Sequence, residues 1–270
     1  MRIDFHCHCT STDEATVRSF AELCKETGTI ACLCSIGPRC SKRCCTNNEV
    51  MEVTRMFPDR FIPFAFVDLW KDVDSGCVDA FAEEGFKGLK CITPYYPYDH
   101  DIYMPVYERA EKHGLPMLFH TGAFRPNAGD VRDRRPVLRN MEPIAIDRIA
   151  RSFPKLRIVM AHLGSTFFRR EAAEMVRLHP NVYTDLAGNG SWLGLGPEEL
   201  TDLLANPVRE TDTSFDGFRK LVFGSDSYTD NIASFVPAQR CHEYLLERVG
   251  VPGEIRMEIM GGTAASWLDL

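Results

Sequence analysis

Arg2-Ile3-Asp4-Phe5-His6-Cys7-His8-Cys9-Thr10 opens the chain as an apolar run that ends in imidazoles and thiols. The first seven of these residues read as a β-strand, and the residues around its end separate two α/β architectures. A doubly wound open sheet calls for a glycine-rich phosphate loop directly after its first strand. His6-Cys7-His8-Cys9-Thr10 has no glycine at all. Outward from there, runs rich in Ile, Val, Phe and Leu recur at 30–37, 61–69, 86–92, 116–122, 156–164, 182–188 and 221–227. Most are nearly continuously apolar, as strands covered on both faces are. Helical patterns at 16–27, 73–84, 104–113, 142–153, 170–179 and 232–249 lie between them. Gly28, Gly85 and Gly114 follow their helices, and Pro197 with Glu198-Glu199 opens another. Eight strands separated by helices predict an α/β protein, a closed (β/α)8 TIM barrel, organised as one domain over residues 1–270. The 270 residues match the ~250 that such a barrel typically needs.

Composition narrows the function class. With 44% apolar and 26% charged residues, the chain can bury a large core. The formal charge is −7 and no basic face is evident in the pattern, which argues against nucleic acid as a partner. No apolar run approaches the ~18 residues of a membrane span. The N-terminus enters a strand pattern at once, without the apolar segment of a secretory signal. The 11 cysteines are therefore expected to be cytosolic thiols, and the protein cytoplasmic. Cys40, Cys44 and Cys45 lack the paired C-x2-C spacing of structural zinc sites and read as loop thiols. The expected partner is a small-molecule substrate; a homodimer is left open.

On a strand, residues i and i+2 share a face, so His6 and His8 are expected to project together into the barrel. His120 ends the fifth strand pattern, His162 the sixth and Asp226 the eighth, and Lys90 lies near the end of the fourth. Closing a barrel gathers these ends around one cavity, on the face where catalysis occurs in this architecture. Several imidazoles and a carboxylate form a borderline-soft N/O donor set suited to one divalent ion, Zn²⁺ before Mn²⁺. The other histidines have plainer explanations. His113 and His179 end helices, where a cation or capping donor is favoured; His242 lies within the last long helix and His100 in a loop. The stretches 37–48, 123–140 and 189–196 are the longer loops of the same face.

These residues fall into motifs that run nearly end to end: Ile3-Asp4-Phe5-His6-Cys7-His8, Phe57-Pro58-Asp59-Arg60-Phe61 and Gly85-Phe86-Lys87-Gly88-Leu89-Lys90. They continue as Leu118-Phe119-His120-Thr121-Gly122, Ala161-His162-Leu163-Gly164, Phe223-Gly224-Ser225-Asp226-Ser227 and Gly261-Gly262-Thr263-Ala264-Ala265-Ser266-Trp267-Leu268. Together they resemble the amidohydrolase superfamily, in its amidohydrolase-related branch, which holds both lactonases and decarboxylases. The resemblance implies a metal-dependent hydrolase barrel in which His6, His8 and His120 bind metal. Asp226 would be a ligand, a proton shuttle, or both, and His162 would polarise or orient substrate or bind a second metal. A strand-4 lysine is carbamylated in some members and bridges two metals. The resemblance to this branch favours one metal and an unmodified Lys90, which should turn toward a carboxylate or a substrate anion.

The residues facing substrate are read from charge. Arg125, nearest His120, heads a loop that also holds Arg132, Arg134 and Arg135; Arg39, Lys42 and Arg43 lie in the strand-2 loop. Arginine pairs bidentately with carboxylates, so Arg125 and Lys90 point to an anionic substrate, with Asp130 and Asp133 close enough to neutralise part of that loop. Tyr95, Tyr96, Tyr98 and Trp192 fit local packing as well as cavity lining. The expected activity is hydrolysis of a small anionic carbonyl compound, a lactone or amide, through a metal-activated water whose proton Asp226 handles. The alternative is non-oxidative decarboxylation at the same site, with Asp226 or His162 protonating the carbon that loses CO₂.

Overall fold

The computed structural model describes residues 1–37, 44–70, 73–123, 137–188, 194–205 and 215–270. Eight strands form one sheet: β1 (Arg2–His8), β2 (Thr29–Cys34), β3 (Phe61–Phe66), β4 (Gly88–Cys91), β5 (Met117–His120), β6 (Ile158–Ala161), β7 (Val182–Thr184) and β8 (Ser227–Tyr228). Their order is β7-β6-β5-β4-β3-β2-β1-β8, and the pairings from β1 to β7 and from β1 to β8 are parallel. The predicted eighth strand, 221–227, is regular only at its end, yet it closes the barrel. The Val222 N–H donates to the Thr184 carbonyl of β7 at 2.9 Å, and the Phe5 N–H of β1 donates to the Phe223 carbonyl at 2.9 Å. Regular pairing breaks beyond them, where Asp226 takes φ 60°. The fold is a (β/α)8 TIM barrel.

Helices cover the strands: α1 (Glu14–Glu26), α2 (Asn47–Met56), α3 (Gly76–Glu84), α4 (Met104–His113), α5 (Ala145–Ser152) and α6 (Ser165–Leu178), followed by Pro197–Leu204, Phe235–Val249, Gly253–Met257 and Thr263–Leu268. The apolar pattern foretold most of these within a turn or so of their ends. It did not reveal α2, whose start is nonetheless written in the sequence. Thr46 and Glu49 form a reciprocal capping box there. The first helical residue, Asn47, then anchors α2 to β3, its amide bonding both the N–H and the carbonyl of Phe66.

Two apolar layers result. Ile3, Phe5, Cys32, Cys34, Ile62, Phe64, Leu118, Val159, Ala161 and Val222 fill the barrel interior, and Ala264, Leu268 and Trp267 of the last helix close its floor. Cys7, Leu33, Ala65, Leu89, Cys91, Met117, Phe119, Ile158 and Met160 join the larger layer beneath the helices. Strand alternation decides which layer each residue enters. By that rule Lys90 and His120 share the inner face with Gly88 and Leu118.

Among the described residues no helix is long and apolar enough to cross a membrane. The described cysteines carry free thiols. Cys40 and the whole charged run Arg39, Lys42, Arg43 lie outside the described residues, as do Arg125, Asp130, Arg132, Asp133, Arg134, Arg135 and Trp192.

His242 is buried in helix Phe235–Val249, with its edge on Phe223, Nδ1–H on the Ala238 carbonyl at 2.8 Å and Nε2 without a partner among the described residues. Burial lowers its pKa from the usual 6.5. A group whose folded pKa lies below its unfolded value gives stability that is complete above the unfolded pKa and is lost as pH falls. Replacing His242 with Leu should therefore flatten part of the acid limb. Melting temperatures at about pH 7 and about pH 5 should differ less in His242→Leu than in the wild type, and equal differences would show that this imidazole carries no acid sensitivity.

Candidate active site

A β-bulge decides whether the first two histidines reach the barrel interior. The β1–β2 register slips between Asp4 and Cys7. Without it, residues 6 and 8 would face away from the side that Ile3 and Phe5 occupy. With it, Ile3 and Phe5 lie in the inner layer, Cys7 and Cys9 lie in the outer one, and His6 and His8 turn inward above Phe5. Asp4 holds the slip in place, its Oδ1 accepting the N–H groups of His6 at 3.1 Å and Ser225 at 3.0 Å.

The other groups arrive from strand ends, as barrel closure requires. Lys90 comes from β4 and His120 is the last residue of β5. His162 follows β6 with φ 67°, and Asp226 precedes β8 with φ 60°, both in the left-handed region that non-glycine residues seldom adopt. The imidazoles sit ring to ring, with centroids 5.0 Å apart for His6–His8, 5.1 Å for His6–His162 and 4.7 Å for His120–His162. Tyr98, to which the sequence assigned no role, is buried and supports this end of the barrel. Its hydroxyl lies 3.0 Å from the His120 carbonyl and 3.2 Å from that of Cys91.

His8 Nε2 lies 2.8 Å from Asp226 Oδ1, and His6 Nε2 lies 3.5 Å from the same oxygen. His8 Nδ1 meets the Cys34 sulfur at 3.3 Å. His162 Nδ1 donates to the Ala187 carbonyl at 2.8 Å, and its Nε2 lies 3.1 Å from His120 Nδ1. His120 Nε2 is buried with no hydrogen-bond partner among the described residues. Lys90 is fully buried and donates from Nζ to His6 Nε2 at 2.8 Å. The sequence reading expects a carboxylate or a substrate anion; within the protein the inward register of β4 sets Lys90 Nζ on the His6 imidazole and not on a carboxylate.

One member of the cluster escaped the sequence reading altogether. Asp185, the residue after β7, is completely buried, and its Oδ2 accepts from His6 Nδ1 at 2.9 Å. The signal was available, since Val182-Tyr183-Thr184-Asp185 ends a strand in a carboxylate much as Phe223-Gly224-Ser225-Asp226 does.

Burial and Lys90 push His6 down to about 3, against the pull of Asp185, so His6 is a neutral imidazole. Burial and His162 likewise hold His120 well below the ordinary histidine value. Burial would raise Asp185, but the hydrogen bond and charge interaction with His6 outweigh it and hold the carboxyl at about 2. For His8 burial again opposes charge, yet Cys34 and Asp226 push it up to about 9. Asp226, which burial would raise, is held far below the usual carboxylate range by His8, His6 and His162. His6 and His120 are thus neutral imidazole donors beside two ionised carboxylates, the donor chemistry a divalent transition metal selects, and His8 gives up a proton to join them.

Two overlapping groups are tight enough for one ion: His6, His8 and Asp226, and His6, His162 and Asp185, each with ligand atoms within 4.8 Å of one another. Two ligand atoms on a tetrahedral zinc lie about 3.3 Å apart, and the 2.8 Å and 3.5 Å separations in the first group bracket that value. The orphaned Nε2 of His120 is a third mark of fit, because a buried acceptor without a partner is costly unless something binds it. The expected ligands His6, His8 and Asp226 come together directly, while His120 sits against His162.

Gly188 is built into this wall with φ 81°; a Cβ there would lie 2.9 Å from Asp226 Oδ2 and 3.2 Å from His162 Nδ1. Gly188→Ala should cost about 1–3 kcal/mol in stability from backbone strain and push the Asp226 carboxylate aside. Zn²⁺ affinity, measured by calorimetric titration, should fall about tenfold or more. Unchanged affinity would mean that the Asp226 position does not matter to an ion here.

A family model described as "Amidohydrolase" (Amidohydro_2) matches residues 40–270, a span that includes Lys90, His120, His162, Asp185 and Asp226 but not His6 or His8. No curated protein matches the chain. Among solved structures, an uncharacterised TIM-barrel protein from Bordetella bronchiseptica superposes with a TM-score of 0.71 at 16% identity, covering 99% of this chain and 98% of that one. A structure described as a probable 2-pyrone-4,6-dicarboxylic acid hydrolase from Acinetobacter baumannii, with citric acid bound, gives 0.64 at 14% identity over 100% and 99%. A dihydroorotase from Campylobacter jejuni gives 0.57 at 17% identity over 100% and 83%. Likeness at such identities speaks for the fold. The family model, which runs from residue 40 through the last residue of the barrel, shows the rest: the chain belongs to the amidohydrolase family.

Proposed function

We propose that the chain is a metal-dependent hydrolase of small, anionic carbonyl compounds, a cyclic ester or amide being the best fit. The observation that carries this reading is the convergence of His6 Nε2, His8 Nε2 and Asp226 Oδ1 at one point inside the strand ends. His6, His8 and Asp226 would hold a single ion, Zn²⁺ or Mn²⁺, and the partnerless Nε2 of His120 is the candidate fourth ligand. Bound there, a divalent ion supplies a Lewis acid that polarises a carbonyl oxygen and lowers the pKa of water to roughly 7.

The chain's own groups supply the rest. Asp226 is the proton acceptor. Its side chain is 22% exposed while His6 and Asp185 are wholly buried, so it is the carboxylate that water and substrate can reach. His8, hydrogen-bonded to it at 2.8 Å, keeps it ionised, and the acceptor that takes a proton from water can return it to the leaving group. His162, its Nδ1–H held on Ala187 and its Nε2 against His120 Nδ1, would orient the substrate as part of the cavity wall. Lys90 brings an amine to the cavity floor, where an anionic substrate group would displace it from His6. Its place beside His6 also suits the rarer arrangement, a carbamylated Lys90 with a second ion, for which the His6, His162 and Asp185 group lies close by. Arg125 remains the other candidate for substrate charge. Support for hydrolysis comes from the family and from the fold shared with a structure described as a probable 2-pyrone-4,6-dicarboxylic acid hydrolase.

Zinc- or manganese-loaded protein should open small anionic lactones or cyclic amides, with uptake of base and without gas. Release of CO₂ from an aromatic or unsaturated acid, with no ring opening, would replace this reading with a decarboxylase. Asp226→Asn should keep the fold and much of the metal, yet lower kcat about 10²–10⁴-fold. Were Asp226 only structural, the same variant would lose stability at near-normal turnover. His6→Ala should instead lose metal, and part of its activity should return with excess ion.

A further inference from the structure

We propose that Asp185 is the positioning residue of this site: a single buried carboxylate that sets the tautomers of His6, His162 and, through His162, His120, so that each presents an Nε2 lone pair.

The case begins with the bonding capacity of an ionised carboxylate, which accepts and never donates. Asp185 Oδ2 faces His6 Nδ1 at 2.9 Å, so that nitrogen must carry the hydrogen. His6 Nε2 is then an acceptor, and the Lys90 ammonium donating to it at 2.8 Å agrees independently. The other oxygen, Oδ1, accepts two backbone N–H groups, from His162 at 2.6 Å and from Ala187 at 2.9 Å. These bonds clamp the turn after β6, where His162 has φ 67°, to the turn after β7. The clamp presents the Ala187 carbonyl to His162 Nδ1 at 2.8 Å. A carbonyl also only accepts, so His162 carries its hydrogen on Nδ1 as well.

In the neutral ring His162 Nε2 is then a lone pair, and it faces His120 Nδ1 at 3.1 Å. Two lone pairs would repel at that distance, so His120 is also the Nδ1–H form. Its Nε2 is then an acceptor with no partner among the described residues. Three imidazoles, on strands 1, 5 and 6, are polarised in series by one carboxylate on strand 7. No room is left for error around it: a Cβ on Gly224 would come within 2.9 Å of His6 Cβ and 3.2 Å of Asp185 Oδ2. The use of the lone pairs rests on the metal-hydrolase reading, but the tautomers themselves do not.

The test uses the full chain with ¹⁵N-labelled histidine. Long-range ring correlations in the wild type should show His6, His162 and His120 protonated on Nδ1; a His6 protonated on Nε2 alone would overturn the proposal without any variant. In Asp185→Asn the amide oxygen can keep the two backbone N–H bonds, while its NH₂ group must face His6 Nδ1. His6 then meets a donor on each side, and it should flip to the Nε2–H form as Lys90 turns away from it, while His162 and His120 stay as they were. Zn²⁺ affinity should fall about 10–100-fold, the usual cost of removing such an outer partner. Asp185→Ala should go further and release the tautomer of His162. A purely structural Asp185 would lower the melting temperature and leave ring tautomers and zinc affinity alone; that result would sink the proposal. A flipped His6 with undiminished zinc binding would uphold the positioning role and overturn the metal reading instead.

Discussion

The site depends on one irregularity in one strand. A strand with strict alternation cannot present Phe5 and His6 to the same side, and this barrel needs both there. Phe5 packs edge-on against Phe64 and against Trp267 of the last helix, which seals the floor. His6 must lie one layer higher and face the same axis. The bulge between Asp4 and Cys7 reconciles the two. Its cost is a set of broken ladder bonds, and Asp4 offsets it by accepting the freed N–H of His6 and that of Ser225. Burial pushes the Asp4 carboxyl up to about 6 despite those bonds, a measure of how deep in the wall the bulge is set.

The same carboxylate couples the bulge to barrel closure. Ser225 belongs to the segment that hydrogen-bonds to β7 on one side and β1 on the other, so Asp4 joins the first strand to the last at the level where His6 emerges. One residue later the chain turns into the left-handed region and delivers Asp226 toward His8. Backbone strain at Asp226 and at His162 is tolerated because both are held on several sides: the Asp226 N–H donates to the His6 carbonyl, and the His162 N–H to Asp185. Strain, bulge and the candidate site groups occupy a single layer of the barrel.

Beneath that layer the molecule is regular. The inner face of the strands is apolar from Ile3 and Phe5 to Leu118 and Val159, and the outer face meets helices through Leu33, Leu89, Met117 and Ile158. This division of labour is common to barrels: a packed core carries the stability, and the carboxyl ends of the strands carry the chemistry. It also explains how the chain can share its fold with a barrel only 16% identical. Packing accepts many apolar combinations, whereas the strand-end residues answer to the reaction.

The barrel was legible in the sequence, because eight apolar runs separated by helices leave few other ways to bury both faces of a parallel sheet. So was the meeting of His6, His8, Lys90, His120, His162 and Asp226, since every one of them sits near a strand's carboxyl end and closure brings those ends together. The bulge was not. Alternation read from Ile3 and Phe5 puts His6 on the wrong side, and only pairing with β2 and Ser225 shows the register to have slipped. The residues marked Asp185 only as one more strand-end carboxylate; its importance lies in a hydrogen bond to a residue 179 positions away. Contacts at that separation have no local signature; they exist only once the sheet has curled and strands 1 and 7 flank the closing segment 221–226.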